Sequence, residues 1–272
     1  MVMVSLNALS PSRANDFVSC PLKFRFRTID KLPEPPSEAA FKGTLVHSVL
    51  EGLFDLPAEE RTSGAGRSLI EPSFAELESK NTAEIAELFP DEPSRLRLFA
   101  QAGELVDRYF TLELPDRLEP AGREQFVQTK LDNGLLLRGF IDRVDVAPGG
   151  EVRLVDYKTG KEPKPQYSRE AEFQMRFYGV LKHRTDGTLA HTLQLMYLGS
   201  GTIKAMRPQM SDIERTEAEI LHIWDDIVQA ALTDTWRPKK SPLCGWCHFK
   251  DICPAWGGRA PETPEITAIA GR

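Results

Sequence analysis

Four cysteines are all that the 272-residue chain contains: Cys20 stands alone near one end, and Cys244, Cys247 and Cys253 form a C-x2-C-x5-C run near the other. If the four thiolates share one centre, the fold must bring the two ends of the chain together. The run Cys-Gly-Trp-Cys-His-Phe-Lys-Asp-Ile-Cys is too short for core packing to explain three cysteines, so metal ligation is the better reading. No charged-then-apolar leader is evident, which favours a reducing, cytoplasmic setting over a disulfide framework.

Four thiolates suit tetrahedral zinc or an iron-sulfur cluster. A zinc ribbon usually shows two local pairs, whereas three local ligands with one remote cysteine is a pattern of cluster ligation. A 4Fe-4S cluster held by Cys20, Cys244, Cys247 and Cys253 is therefore expected, with structural zinc as the alternative. His248 reads as a surface histidine beside a ligand set that is complete without it.

The net charge of −6 argues against a nucleic-acid partner only until its distribution is considered. Residues 51–126 hold 17 acids and 8 bases, a net of −9, so the remainder of the chain carries +3. Lys23, Arg25 and Arg27 near Cys20, with Arg237, Lys239, Lys240 and Lys250 near the other cysteines, are candidates for a phosphate-binding surface. No apolar run is long enough to span a membrane.

Ser10-Pro11 reads as a helix start, with Cys20 near the end of that helix and Pro21 stopping it. A second helix is expected from about Ala39 to Phe54, a loop over 61–73, and acid-rich helices over 74–88 and 92–112. Beyond Arg123 the pattern changes to strands: Gln125 to Leu131, a turn at Asp132-Asn133-Gly134, Leu135 to Val146, a Pro-Gly-Gly turn, and Glu151 to Tyr157. These three form an antiparallel meander. A helix from Ser168 to His183, strands at 191–198 and 202–207, and a long helix from Ser211 to Leu232, opened by a Ser-Asp-Ile-Glu capping box, follow. The expected organisation is N-terminal helices (1–60), a helical insert (61–122), a core of sheet and helix (123–210), the long helix with the cysteines (211–256) and a flexible tail (257–272).

Asp142 ends the apolar part of one strand and Asp156-Tyr157-Lys158 ends the next, with Asp156 and Lys158 on one face. Two carboxylates and an ammonium converging at a strand edge suit phosphodiester cleavage. Carboxylates hold Mg2+ or Mn2+, the metal activates water, and a lysine offsets charge growing in the transition state. The Tyr157 carbonyl offers another hard oxygen. His47 lies four residues after Gly43 on one helix face, where glycine lets a helix approach a sheet, and Gln174 and Tyr178 are likewise four apart.

Taken in order, Gly43-x-x-x-His47, Asp142, Asp156-x-Lys158, Gln174-x-x-x-Tyr178 and the four cysteines resemble the RecB-like branch of the PD-(D/E)XK nucleases. The cysteine layout resembles the iron-sulfur staple of AddB-type nuclease domains and of CRISPR-adaptation exonucleases. The resemblance implies an α/β fold with a mixed sheet flanked by helices. It also implies a metal site at His47, Asp142, Asp156 and the Tyr157 carbonyl, a catalytic Lys158, and Gln174 and Tyr178 supporting the site and contacting DNA. Glu124 is placed too loosely by the sequence to join that set. Thr159-Gly160-Lys161 is similar to the end of a phosphate loop, but Glu162 and Val155 stand where Ser or Thr and the first glycine are needed. Any unwinding must therefore come from a separate helicase. The function expected is a metal-dependent DNA exonuclease on single strands or duplex ends, in repair or recombination. The alternatives are a non-cleaving DNA-end or helicase-partner binding module, and a nuclease acting on RNA.

Overall fold

The computed structural model describes residues 4–271. The chain opens with short strands β1 (Val4–Leu6) and β2 (Ala8–Leu9), then α1 (Pro11–Ser19), α2 (Pro21–Phe24), a turn of π-helix at Arg25–Ile29 and α3 (Glu38–Leu53). Helices α4 (Ser63–Ser68), α5 (Ile70–Lys80), α6 (Thr82–Leu88) and α7 (Glu92–Leu112) make the insert. Then come β3 (Pro120–Lys130), β4 (Leu136–Val146), β5 (Val152–Lys158), α8 (Arg169–Asp186), β6 (Thr192–Tyr197), β7 (Thr202–Met206), α9 (Met210–Leu232) and β8 (Ile266–Ile269).

The main sheet runs β2-β4-β5-β6-β7, with β3 antiparallel along β4. Strands β3, β4 and β5 form the expected antiparallel meander, and β6 joins β5 in parallel through α8. The sheet is therefore mixed. Because β5 and β6 are covered on both faces, they read as near-continuous apolar runs, and alternate residues enter different cores. Leu154 and Leu195 pack with α1, α8 and α9, around Met175, Phe177 and Trp224. Val155, Tyr157, Met196 and Leu198 pack with α3 and the insert, around Val49, Phe74 and Tyr109. The insert thus supplies one wall of the second core. Arg143, 1% exposed, sits at that wall, with its guanidinium on both Glu113 oxygens (3.0 and 2.7 Å) and on the Tyr109 and Tyr157 hydroxyls.

Strand β4 is shared unevenly. Since β3 occupies one of its edges, β2 and β5 must share the other: β2 pairs at Leu136 and Leu137, and β5 from Arg143 to Val146. The stretch between them is a fork in the sheet.

Four sequence expectations change. The 61–73 loop contains α4 and the start of α5, since Thr62 caps the Ala65 amide despite Gly64 and Gly66. The α9 capping box is Gln209 with Asp212, two residues before the expected site at Ser211. The 257–272 tail carries β8, which pairs in parallel with β1 and leaves Ala270 to accept from Trp224 Nε1 (3.1 Å). Arg25 is not a surface cation: it is buried on Asp30 and the Pro261 carbonyl. Among the described residues no helix is long and apolar enough to cross a membrane.

Candidate active site

The fork between β4 and β5 is closed by a side chain. Past the Arg143–Val155 pair the two backbones part, and the Tyr157 amide donates instead to Asp142 Oδ2 (2.7 Å). That bond fixes Asp142, 9% exposed, beside Asp156, 1% exposed. Two buried carboxylates at one fork repel. Burial first, then the Asp156 charge, raises the Asp142 pKa from 3.8 to about 7, against the opposing pull of His47.

His47 reaches this fork from α3. Its Nε2 lies 2.9 Å from the Tyr157 carbonyl oxygen, and its Nδ1 faces Asp142 Oδ2 at 3.4 Å and Glu124 Oε1 at 3.5 Å. Burial alone would depress its pKa. The Glu124 contact and the Asp142 and Asp156 charges together overcome burial and raise it from 6.5 to about 9. In the metal-free protein a proton therefore supplies the positive charge among these acids at neutral pH.

Glu124 is the residue that sequence reasoning left out. It takes φ +40°, a left-handed backbone unusual for a side chain of this kind. Pairing continues on both sides of it, at Arg123–Arg143 and Gln125–Ile141, so Glu124 stands across from Asp142. Arg123, next to it, donates to the Glu51 carbonyl (2.6 Å) and to Asp55 (2.7 Å), tying β3 to the C-terminal end of the helix that carries His47. A signal was present in the sequence. A three-residue turn at Asp132-Asn133-Gly134 sets Leu131 against Leu135, and counting back along both strands brings Glu124 opposite Asp142.

The lysine side of the site is built from α8. Lys158 Nζ donates to Gln174 Oε1 (2.7 Å), and Gln174 Nε2 donates to both Asp156 Oδ1 and the Tyr178 hydroxyl (2.8 Å each). Lys158 Nζ also lies 2.7 Å from Asp156 Oδ2, an ion contact without the alignment of a hydrogen bond, so that buried oxygen keeps its lone pairs. Tyr178 is 5% exposed and acts on the site through Gln174. It lies over Gly139, where a Cβ would come within 2.8 Å of its ring. Gly43 is less demanding than the sequence suggested: a Cβ there would meet Thr159 Oγ1 at 3.7 Å, an ordinary contact.

His47, Glu124 and Asp142 bring ligand atoms within 4.8 Å of one another, and Asp156, Tyr157 and Lys158 line the same cavity of about 430 Å³ as His47 and Asp142. The donor set fits a hard divalent cation. It is mostly oxygen: the Glu124, Asp142 and Asp156 carboxylates and the Tyr157 carbonyl, with one imidazole.

The cysteines lie around a second cavity. Cys20, Cys244, Cys247 and Cys253 all line one cavity of about 300 Å³ with Trp246, Phe249 and Trp256. The Lys239 amide donates to Cys20 Sγ and the Ser241 amide to Cys244 Sγ (3.4 Å each). The Ser241 bond holds the Cys244 thiol below its ordinary pKa. Among the described residues no three cysteine sulfurs lie within 4.8 Å of one another, whereas tetrahedral zinc would set them about 3.8 Å apart. The basic residues around this cavity are largely engaged: Lys23 and Arg27 with Asp16, Arg27 also with Glu34, and Lys240 and Lys250 over the Trp256 ring.

The profile of the PD-(D/E)XK nuclease superfamily matches residues 8–254. Two curated relatives are the Gene 69 proteins of Mycobacterium phages D29 and L5. The first is 25% identical and the alignment covers 94% of this chain and 100% of the relative; the second is 24% identical, with 91% and 96% covered. Among solved structures, a protein of Eubacterium rectale described as a candidate exonuclease superposes with a TM-score of 0.62 at 14% identity, covering 96% of this chain and 91% of its own. That likeness is one of fold.

Proposed function

The chain belongs to the PD-(D/E)XK nuclease superfamily, and on that premise we propose that it is a metal-dependent DNA exonuclease of the RecB-like branch, acting on single strands or duplex ends. The observation that carries this reading is the convergence of His47, Glu124, Asp142 and Asp156 at one fork with Lys158 beside them. His47, Glu124, Asp142, Asp156 and the Tyr157 carbonyl would hold Mg2+ or Mn2+, which when bound activates water and offsets phosphate charge. Lys158 orients the attacking water and balances charge on the phosphate, and Gln174 fixes the positions of Lys158 and Asp156. A set of buried acids repels a phosphate until a cation is present, so DNA affinity depends on the metal.

A 4Fe-4S cluster on Cys20, Cys244, Cys247 and Cys253 is part of the same reading. Its support is that all four cysteines line one cavity and that backbone amides are aimed at two of the sulfurs. Anaerobically purified protein is expected to be brown and to contain iron and sulfide; a colourless preparation with one zinc per chain would reverse that choice.

The decisive experiment offers labelled single-stranded DNA, duplex DNA and RNA to the protein with Mg2+ or Mn2+ and no ATP. Cleavage of DNA from an end is expected, and it is lost in folded Asp156→Ala and Lys158→Ala proteins. Full activity in both variants rejects the assignment, and preferential cleavage of RNA reassigns the substrate.

A further inference from the structure

A groove of about 900 Å³ runs out of the active site. It shares Lys158, Ala171 and Gln174 with the metal-side cavity and continues along β3, β4 and α1. Its lining includes three aromatic rings that belong to neither core: Phe126 (48% exposed), Phe140 (56%) and Tyr167 (72%). Phe126 and Phe140 are direct cross-strand partners, their ring centroids 5.1 Å apart. Each is two residues from a site carboxylate, Phe126 from Glu124 and Phe140 from Asp142.

We propose that this groove receives an unpaired nucleic-acid strand, with a base stacked on the Phe126–Phe140 pair beside the scissile phosphate. The inference rests on the nuclease reading and adds to it what holds the substrate. As a cross-strand pair Phe126 and Phe140 add modestly to the sheet, but about half of each ring stays in solvent, and a patch of exposed rings beside a catalytic lysine marks a binding surface. An unpaired base can offer its face to such rings anywhere along a strand, whereas a duplex exposes a face only at its end, and base stacking on aromatics is tolerant of sequence. The charge of the groove agrees. Arg138 has no ion-pair partner among the described residues and is free for a phosphate, whereas Lys23 and Arg27 are already paired with Asp16. With few free cations, stacking carries much of the affinity, and the salt dependence of binding is shallow.

The test measures binding apart from cleavage. The full chain, with Ca2+ in place of Mg2+, is titrated against fluorescent oligo-dT and against an abasic phosphodiester of equal length. The wild-type protein is expected to bind oligo-dT more tightly than the abasic strand, by about tenfold or more. The Phe126→Ala/Phe140→Ala protein loses that difference and binds the abasic strand as before, while Phe140→Trp keeps it. Equal wild-type affinity for the two strands, or an unchanged preference in the double variant, overturns the proposal. Base-dependent binding that the double variant loses, without hydrolysis in Mn2+, supports the groove and rejects the nuclease reading instead.

Discussion

His47 Nδ1 and Glu124 Oε1 lie 3.5 Å apart, although one side chain rises from a helix and the other from a strand residue held at φ +40°. Such a backbone costs on the order of 1–3 kcal/mol and persists where surrounding contacts over-determine it. Here those contacts are the β3–β4 ladder on either side and the Arg123 grip on α3. The strain aims a carboxylate at the imidazole.

Glu124→Gln keeps the shape of the side chain and removes its charge. Mn2+ affinity should fall about tenfold or more, by analogy with the loss of groups that tune a metal site, while the melting temperature of the metal-free protein changes little. Isothermal titration with Mn2+ measures the first and calorimetry the second. Unchanged Mn2+ affinity would remove Glu124 from the site.

Protons and metal compete for this pocket. The folded values, about 9 for His47 and about 7 for Asp142, lie above the ordinary 6.5 and 3.8, so the folded metal-free site binds more protons than the unfolded chain. The His47 contribution to stability is full below pH 6.5 and is lost as pH rises through about 9. Ionising Asp142 costs stability from about pH 3.8 upward, in full above about 7. Metal reverses the sign, because ligands must be deprotonated to bind it. Mn2+ binding at pH 7 should release protons, seen as a dependence of titration enthalpy on buffer ionisation enthalpy, and should tighten from pH 6 to pH 8. A titration with no proton release contradicts this account.

What the sequence disclosed and what it withheld divide along physical lines. Asp142, Asp156 and Lys158 were legible because strand periodicity and short turns bring them together locally. Glu124 was passed over because the strand was expected to begin at Gln125, whereas β3 extends back to Pro120 and keeps its register through Glu124. The Phe126–Phe140 pair was hidden for another reason: alternation marks a residue as facing one side, but not whether anything covers that side. β8 escaped because its pairing with β1 joins residues at opposite ends of the chain.

Gly139→Ala tests whether Tyr178 positions the site through Gln174. The new methyl group would come 2.8 Å from the Tyr178 ring and displace it, so the hydroxyl that fixes the Gln174 amide moves away. The expected result is a fall in kcat of about tenfold or more, since the reacting groups are misplaced, with a smaller rise in KM for DNA, since Gly139 and Tyr178 also line the groove. Tyr178→Phe, which removes only the hydroxyl, should reproduce the loss more mildly. Full activity in both would leave Tyr178 as packing alone.

The terminal clasp is more than four cysteines. Phe26 packs edge-on against Phe249 at 5.2 Å, Phe24 stacks on Trp236, Arg25 holds the Pro261 carbonyl, and β8 lies beside β1. These contacts join the same two ends of the chain without any metal, so the fold does not rest on the proposed cluster. Cys247→Ala should therefore lose the iron and the colour and melt at a lower temperature, yet retain the native circular dichroism spectrum at 25 °C. Its nuclease activity should survive in the cold and fall on mild warming, as the segments that carry Cys20 and Cys253 loosen. Complete inactivity in a protein that keeps its spectrum and melting temperature would instead place the cluster within the chemistry.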